Sequence, residues 1–204
     1  MAMFKSLSEG LKNADSCTTL KLSLKGKELP PELFTLTKLE ELYLEAPQLK
    51  ELPDMMSFES LKLLSLKAVV FKGSVAELFH LPSLRNLKLI ETPLEPLTIK
   101  LATKMAPLQW LTMKACGLKA LPLEMGELAT LEELILPDNA LKELPFTFNG
   151  LIKLKRLNLD GNAFKKFPDH LNELKKLLHV SIDGNHFPDD EKARIQRQFG
   201  LSPN

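Results

Sequence analysis

Leucine returns along this chain at intervals that define a register. Its openers are Cys17, Leu39, Leu61, Leu84, Leu108, Leu131, Leu154 and Leu177, at steps of 22, 22, 23, 24, 23, 23 and 23 residues. A fixed period of that length marks a stacked repeat array. From the second unit on, apolar side chains stand three and five places after each opener: Leu42 and Leu44, Leu64 and Leu66, Leu87 and Leu89, Leu111 and Met113, Leu134 and Leu136, Leu157 and Leu159, Val180 and Ile182. Alternation with period two predicts one short strand per unit. Further on come Leu49, Phe71, Leu94, Leu118, Leu141, Phe164 and Phe187, then Leu-Pro or Phe-Pro pairs at 29/30, 52/53, 121/122, 144/145 and 167/168. Proline lacks the N–H that pairing needs, so it ends the strand segment and turns the chain. Loosely helical runs such as Glu124-Met-Gly-Glu-Leu128 and Asp169-His-Leu-Asn-Glu-Leu174 then carry the chain back, which makes successive strands parallel.

The stretch Leu131-Glu-Glu-Leu-Ile-Leu-Pro-Asp-Asn-Ala-Leu-Lys-Glu-Leu-Pro145 resembles the leucine-rich-repeat consensus in its 23-residue Leu-Pro form. The resemblance covers residues 17 to about 187 as eight units, and is similar to small bacterial repeat proteins and to animal proteins of the Ras-suppressor type. It implies an α/β fold: a right-handed solenoid, curved like a horseshoe, with a parallel sheet of about eight strands on the concave face. It also implies that an Asn bridges backbone groups of successive turns in a buried ladder. Here that Asn occurs only as Asn139, Asn162 and Asn185; Thr92 and Cys116 are tolerable substitutes, whereas Pro47 and Val69 cannot make the same bonds. The first unit is one residue short through Lys25-Gly-Lys27. The third and fourth replace the Leu-Pro pair by Ser74-Val75 and Leu97-Thr98, and the fourth is one residue longer, so the amino-terminal half is expected to be less regular.

A solenoid needs capped ends, and both ends carry helical patterns. Phe4, Leu7, Leu11 and Ala14 lie at helical spacing, predicting an amphipathic cap helix over 3–15 within residues 1–16. After repeats 17–187, residues 188–204 hold Asp189, Asp190 and Glu191 in a first turn, Arg194 and Arg197 near a last turn, and Gly200 as a stop. Ile195 and Phe199 form the buried stripe. The whole chain thus reads as one domain.

Composition removes several function classes. The 45 leucines supply about half of the 44% hydrophobic content, so a single core position is reused many times. Lys and Arg total 27 against 26 Asp and Glu, a net charge of +1, which gives no long-range field to gather nucleic acid or an anionic membrane. The start, Met1 to Gly10, has no apolar stretch of signal-peptide length, and no segment approaches 18 uncharged apolar residues. A cytoplasmic monomer is expected, with leaderless export as an effector left open.

Candidate chemistry is thin. Asp138, Asp160 and Asp183, with His179 and His186 nearby, could suggest a metal. However, Asp160-Gly-Asn162 and Asp183-Gly-Asn185 are turn sequences, and His179 and Asp183 lie roughly 13 Å apart along a strand. Cys116 has no arginine five residues on, as a phosphatase loop would require, and stands in the ladder position; with Cys17 it makes neither a disulfide framework nor a metal site. No phosphate loop, nucleophile elbow or His-Glu-x-x-His occurs. Some bacterial effectors with similar repeats add a ubiquitin-ligase domain with a catalytic cysteine, but the array leaves no room for one. No enzyme activity, cofactor or metal is expected.

What remains is surface. Residues between the core leucines face the concave side. There Leu63, Ile90, Trp110 and Ile135 supply apolar groups, Lys67, Arg85, Lys88 and Lys114 surround them, and the only Tyr, Tyr43, lies in the same rows. Exposed aromatic and aliphatic anchors ringed by charge are typical of protein interfaces, although scattered apolar surface residues are also ordinary. The expected function is non-enzymatic binding of a protein whose surface is acidic and partly apolar. The alternative is a recognition subunit that binds a small ligand or peptide and recruits a separate enzyme.

Overall fold

The computed structural model describes residues 3–94, 96–99 and 105–204. Nine parallel strands form one sheet in strict sequence order: β1 (Met3–Phe4), β2 (Thr19–Ser23), β3 (Glu41–Glu45), β4 (Leu63–Lys67), β5 (Asn86–Ile90), β6 (Trp110–Lys114), β7 (Glu133–Ile135), β8 (Arg156–Asn158) and β9 (His179–Ser181). The chain is a right-handed horseshoe solenoid with this sheet on its concave face. The return paths of five units contain single 3₁₀ turns at Pro31–Thr35, Ala76–His80, Leu123–Glu127, Phe146–Gly150 and Asp169–Glu173. That of the unit opened by Leu84 includes 95 and 100–104, outside the described residues.

Strand register matches the repeat register. Leu42, Leu64, Leu87, Leu111, Leu134 and Leu157 lie side by side across β3 to β8 and are 0–2% exposed. Phe58, Phe79, Phe148 and Phe164, all at or below 1%, fill the interior behind them. Each unit therefore buries its apolar edge only against the units before and after it.

The turn after each strand decides which side chain enters the interior. Glu91, Ala115, Asp138, Gly161 and Gly184, each seven places after an opener, have φ of 47°, 52°, 59°, 61° and 66°. That left-handed residue turns the next one inward: Thr92, Cys116, Asn139, Asn162 and Asn185. Asn139 accepts at Oδ1 from the Cys116 and Leu118 N–H groups (3.0 and 3.2 Å) and donates through Nδ2 to the carbonyls of Met113 and Leu136 (2.8 and 3.0 Å). Asn162 and Asn185 repeat the pattern toward Leu141 and Phe164. Thr92 accepts from the Ala68 N–H at 3.1 Å, and Cys116 donates to the Leu89 carbonyl at 3.3 Å.

Two expectations are corrected here. Pro47 and Val69 do not occupy the ladder position; both are exposed, and Ala46 and Ala68, one residue earlier and 0% exposed, turn inward instead. These units have no left-handed residue at that place, so the inward position shifts back by one. An Ala there asks for no side-chain partner: its own N–H reaches Lys67 O at 2.9 Å in one case and Thr92 Oγ1 in the other. At the amino terminus, 3–15 is not one helix. Met3–Phe4 pairs with Thr19–Leu20 as an extra strand, and α1 covers only Leu7–Lys12, capped by Ser6 Oγ accepting from the Glu9 N–H at 3.2 Å. Pairing satisfies the otherwise open edge of β2, which a longer helix would leave bare.

At the other end α2 (Asp189–Phe199) ends at Gly200 with φ 67°. Ile195 is fully buried, and the rings of Phe199 and Phe167 meet with centroids 4.5 Å apart, tilted by 44°. Glu191, 9% exposed, accepts from the Phe167 N–H at 2.7 Å and is gripped by Arg194 at 2.6 and 2.8 Å, while Arg194 also reaches Asp169 at 2.7 Å. The Arg194 bonds hold the Glu191 carboxyl below its usual value against the opposing effect of burial. Behind the sheet, Gly126 and Gly150 bring adjacent 3₁₀ turns into backbone contact: a Cβ on Gly126 would fall on the Thr147 carbonyl, and one on Gly150 on the Gly126 carbonyl.

Two stability experiments follow. Gly126→Ala should cost about 1–3 kcal/mol in denaturant unfolding, as overpacking does, because the obstruction is backbone and cannot rotate away. Glu191→Ala should cost a similar amount, about 1–3 kcal/mol, by leaving the Phe167 N–H without its acceptor. Since the folded Glu191 value is depressed, its contribution is complete above the unfolded value of about 4.3 and lost as pH falls through the folded one. The stability gap between wild type and Glu191→Gln should therefore shrink on acidification; a gap that widens in acid would contradict this role.

Candidate protein-binding face

Side chains that alternate with the buried leucines form three rows across the sheet. One row runs Glu41, Leu63, Asn86, Trp110, Glu133, Arg156, His179; the second runs Lys21, Tyr43, Ser65, Lys88, Thr112, Ile135, Asn158, Ser181; the third runs Ser23, Glu45, Lys67, Ile90, Lys114. Trp110 is 41% exposed, whereas Leu63, Ile90 and Ile135 are half-buried by their neighbours.

The register brings some expected residues together and separates others. Trp110 and Ile135 are diagonal neighbours on adjacent strands, about 8 Å apart at ~4.8 Å per strand and ~3.3 Å per residue. Leu63 lies two strands from Trp110, about 10 Å away, with Asn86 between them. Ile90 is four residues along from Trp110's level, about 14 Å off, between Lys67 and Lys114 near the opposite rim. The apolar groups thus form a Leu63–Trp110–Ile135 arc plus a separate Ile90, with polar side chains interleaved. Tyr43 stands two strands from Lys88 and donates to Glu41 at 3.2 Å; burial, then the Glu41 charge, pushes its phenol above the ordinary value.

The four cations differ. Lys67 meets Glu91 at 2.9 Å and Lys114 meets Asp138 at 3.4 Å, exposed pairs worth at most about 1 kcal/mol each and open to exchange with a partner's carboxylate. Among the described residues Arg85 and Lys88 have no carboxylate within ion-pair distance. Asn86 is a residue sequence reasoning passed over. Its Oδ1 is shielded from solvent and has no hydrogen-bond partner among the described residues, at the midpoint between Leu63 and Trp110. No pattern in the sequence marks an orphaned acceptor; only packing reveals it.

The aspartates at the strand ends are occupied by the protein itself. Asp160 accepts from Ser181 Oγ at 2.7 Å, the Asp183 N–H at 2.8 Å and Asn158 Nδ2 at 2.9 Å, and Asp183 accepts from the Asn204 N–H at 3.0 Å. Among the described residues no His, Cys, Asp and Glu side chains cluster as a metal site, and no helix is long and apolar enough to cross a membrane. Cys17 and Cys116 are buried free thiols; burial pushes Cys116 up to about 11 and raises Cys17 as well.

The leucine rich repeat family model matches residues 129–187. No curated protein matches the chain. Among solved structures, a Leptospira interrogans leucine-rich-repeat protein is similar at 20% identity and a TM-score of 0.61, over 92% of this chain and 60% of that one. Listeria monocytogenes InlP is similar at 23% and 0.66, over 82% and 49%, and the leucine-rich-repeat domain of the type III effector XopL at 22% and 0.65, over 85% and 67%. The chain thus spans about half to two thirds of the length of these relatives. Its fold is the leucine-rich-repeat fold, which commonly serves as a protein-interaction module.

Thiol chemistry tests the burial. A disulfide-exchange reagent at mildly alkaline pH should find two free thiols after denaturation, and Cys116 should react in the native state orders of magnitude more slowly than a small free thiol. Rapid native modification of Cys116 would place it outside the core.

Proposed function

We propose that the concave face of this repeat protein binds a protein partner, without catalysis or cofactor, through an anchor at Trp110 with Leu63 and Ile135, steered by Arg85, Lys88, Lys67 and Lys114. The carrying observation is a large, 41%-exposed indole in the middle of an open sheet, beside two cations without partners among the described residues and an amide oxygen without one. Trp and Arg dominate interface hot spots because they bury large areas and bond directionally. The surplus of cations around the anchor favours an acidic, partly apolar partner surface, and a standard interface of ~800 Å² per side would engage several strands. The protein acts as a monomer in the cytoplasm, and neither nucleic acid nor membrane is its target; a net charge of +1, with no field to gather polyanions, supports the exclusion of those two targets.

The test is affinity capture followed by quantitative binding of the recovered protein. Trp110→Ala should leave stability within about 1 kcal/mol, as a surface substitution does, while weakening binding by about 2 kcal/mol or more. Lys88→Glu should chiefly slow association, by a factor that shrinks as salt rises. A captured protein whose affinity ignores Trp110 would move the interface away from this face; unfolding by Trp110→Ala would make the indole a core group.

A further inference from the structure

Away from the sheet, two successive Leu-Pro turns and the Phe167-Pro168 turn after them line a groove of about 640 Å³. Leu144, 5% exposed, belongs to its floor, and Leu123 and Phe146, first residues of their 3₁₀ turns, stand at its wall, 52% and 70% exposed. They occupy equivalent places, fifteen residues after Leu108 and Leu131, so the stacking of the units sets them side by side. Lys142, Lys166 and His170 complete the lining with Glu143 and Asp169. Asp169 is committed to Arg194 at 2.7 Å, and Lys166 reaches it only at 4.0 Å. Lys142 has no ion pair among the described residues, and His170 Nε2 is shielded with no hydrogen-bond partner among them. With Asp169 bonded to Arg194, the lip holds Lys142 and Lys166 against the one free carboxylate among its described residues, Glu143. An apolar floor and wall under that positive surplus is the complement of a chain segment that carries both an apolar side chain and a carboxylate.

We propose that this groove is a second docking site, separate from the concave face, for an extended segment of a partner protein presenting a large apolar side chain beside a carboxylate. A small molecule fits it poorly, because walls as exposed as Phe146 and Leu123 cannot enclose most of a ligand's surface. A second copy of this chain is disfavoured on charge. In a two-fold pair the same patch meets itself, and each copy brings two lysines, Lys142 and Lys166, for the one carboxylate of the described lining, Glu143, that is not already bonded within the chain.

The experiment pans random linear peptides displayed on phage against the full chain, then measures affinities of synthetic peptides from the enriched sequences. The expected result is enrichment of peptides pairing Phe, Leu, Ile or Trp with Asp or Glu. Their affinity should fall at least tenfold on Phe146→Ala and again on Lys142→Glu, and be unchanged by Trp110→Ala. Both substituted side chains are exposed, so each variant should melt with the wild type. The proposal is overturned by a library that yields no binder, by binders indifferent to both substitutions, by enrichment of basic peptides, or by Phe146-dependent self-association in sedimentation. Because the readout is independent of Trp110, its failure would leave the concave-face reading standing, and the reverse.

Discussion

Every unit of this solenoid must turn its chain sharply inside a stack where the next turn lies only one strand spacing away. The backbone groups exposed by that turn are buried between units, where water cannot reach them, so each must be bonded by the protein or cost a few kcal/mol. The solution in the carboxy-terminal half is a left-handed residue followed by an inward Asn. A primary amide carries an acceptor and two donor hydrogens on one short stem, so Asn139 can serve N–H and C=O groups of two turns at once. The parallel register, the buried leucine columns and the exposed rows all depend on these turns repeating at the same height.

Once the turns are fixed, the sheet converts sequence period into surface geometry. A side chain and its neighbour one unit later lie about one strand apart, so charges some 23 residues distant become partners, as in Lys62 with Glu40 at 2.8 Å and Lys155 with Glu132 at 2.6 Å. These pairs add little stability where exposed. Their larger effect is on what is left over. Where cross-strand pairing consumes the charges, the face is neutral; where a row holds Lys88 between Ser65 and Thr112, the charge stays available.

Much of this was legible in the leucine spacing, because a side chain buried in every unit leaves a periodic trace. The register, parallel strands and outward rows all followed from it. The misreadings share a physical cause. Whether a turn uses a left-handed residue cannot be read at Glu91 or Ala115, whose side chains do not advertise positive φ as Gly161 and Gly184 do. Without that knowledge Pro47 and Val69 took the place that Ala46 and Ala68 hold. Met3 and Phe4 suit a helix stripe and a strand equally well, and the bare edge of β2 decided between them. The backbone contact of Gly126 and Gly150, the orphaned oxygen of Asn86 and the flank groove with its exposed Phe146 all arise between units. A pattern read within each unit does not contain them.

The proposed anchor also stands where the ladder passes from weaker rungs to amides. Asn139 and Asn162 each bond the backbone with both ends of an amide, whereas Thr92 has one hydroxyl hydrogen to share between the Ile90 and Leu66 carbonyls, and Cys116 offers only a weak S–H donor. In a stack with nearest-neighbour coupling the cost of a weaker rung stays with the units that contain it. The turn after β5, the strand that carries Lys88, therefore receives the weak Cys116 thiol from the next unit, whereas the turn after β6, the strand that carries Trp110, receives the Asn139 amide, and the columns of Leu87, Leu89 and Leu111 beneath them remain fully buried. Packing holds the register of those strands, and the turn after β5 is less tightly bonded than the turn after β6. A binding surface that must accommodate a partner is best supported by such a section, since small adjustments at the turns need not disturb the buried columns.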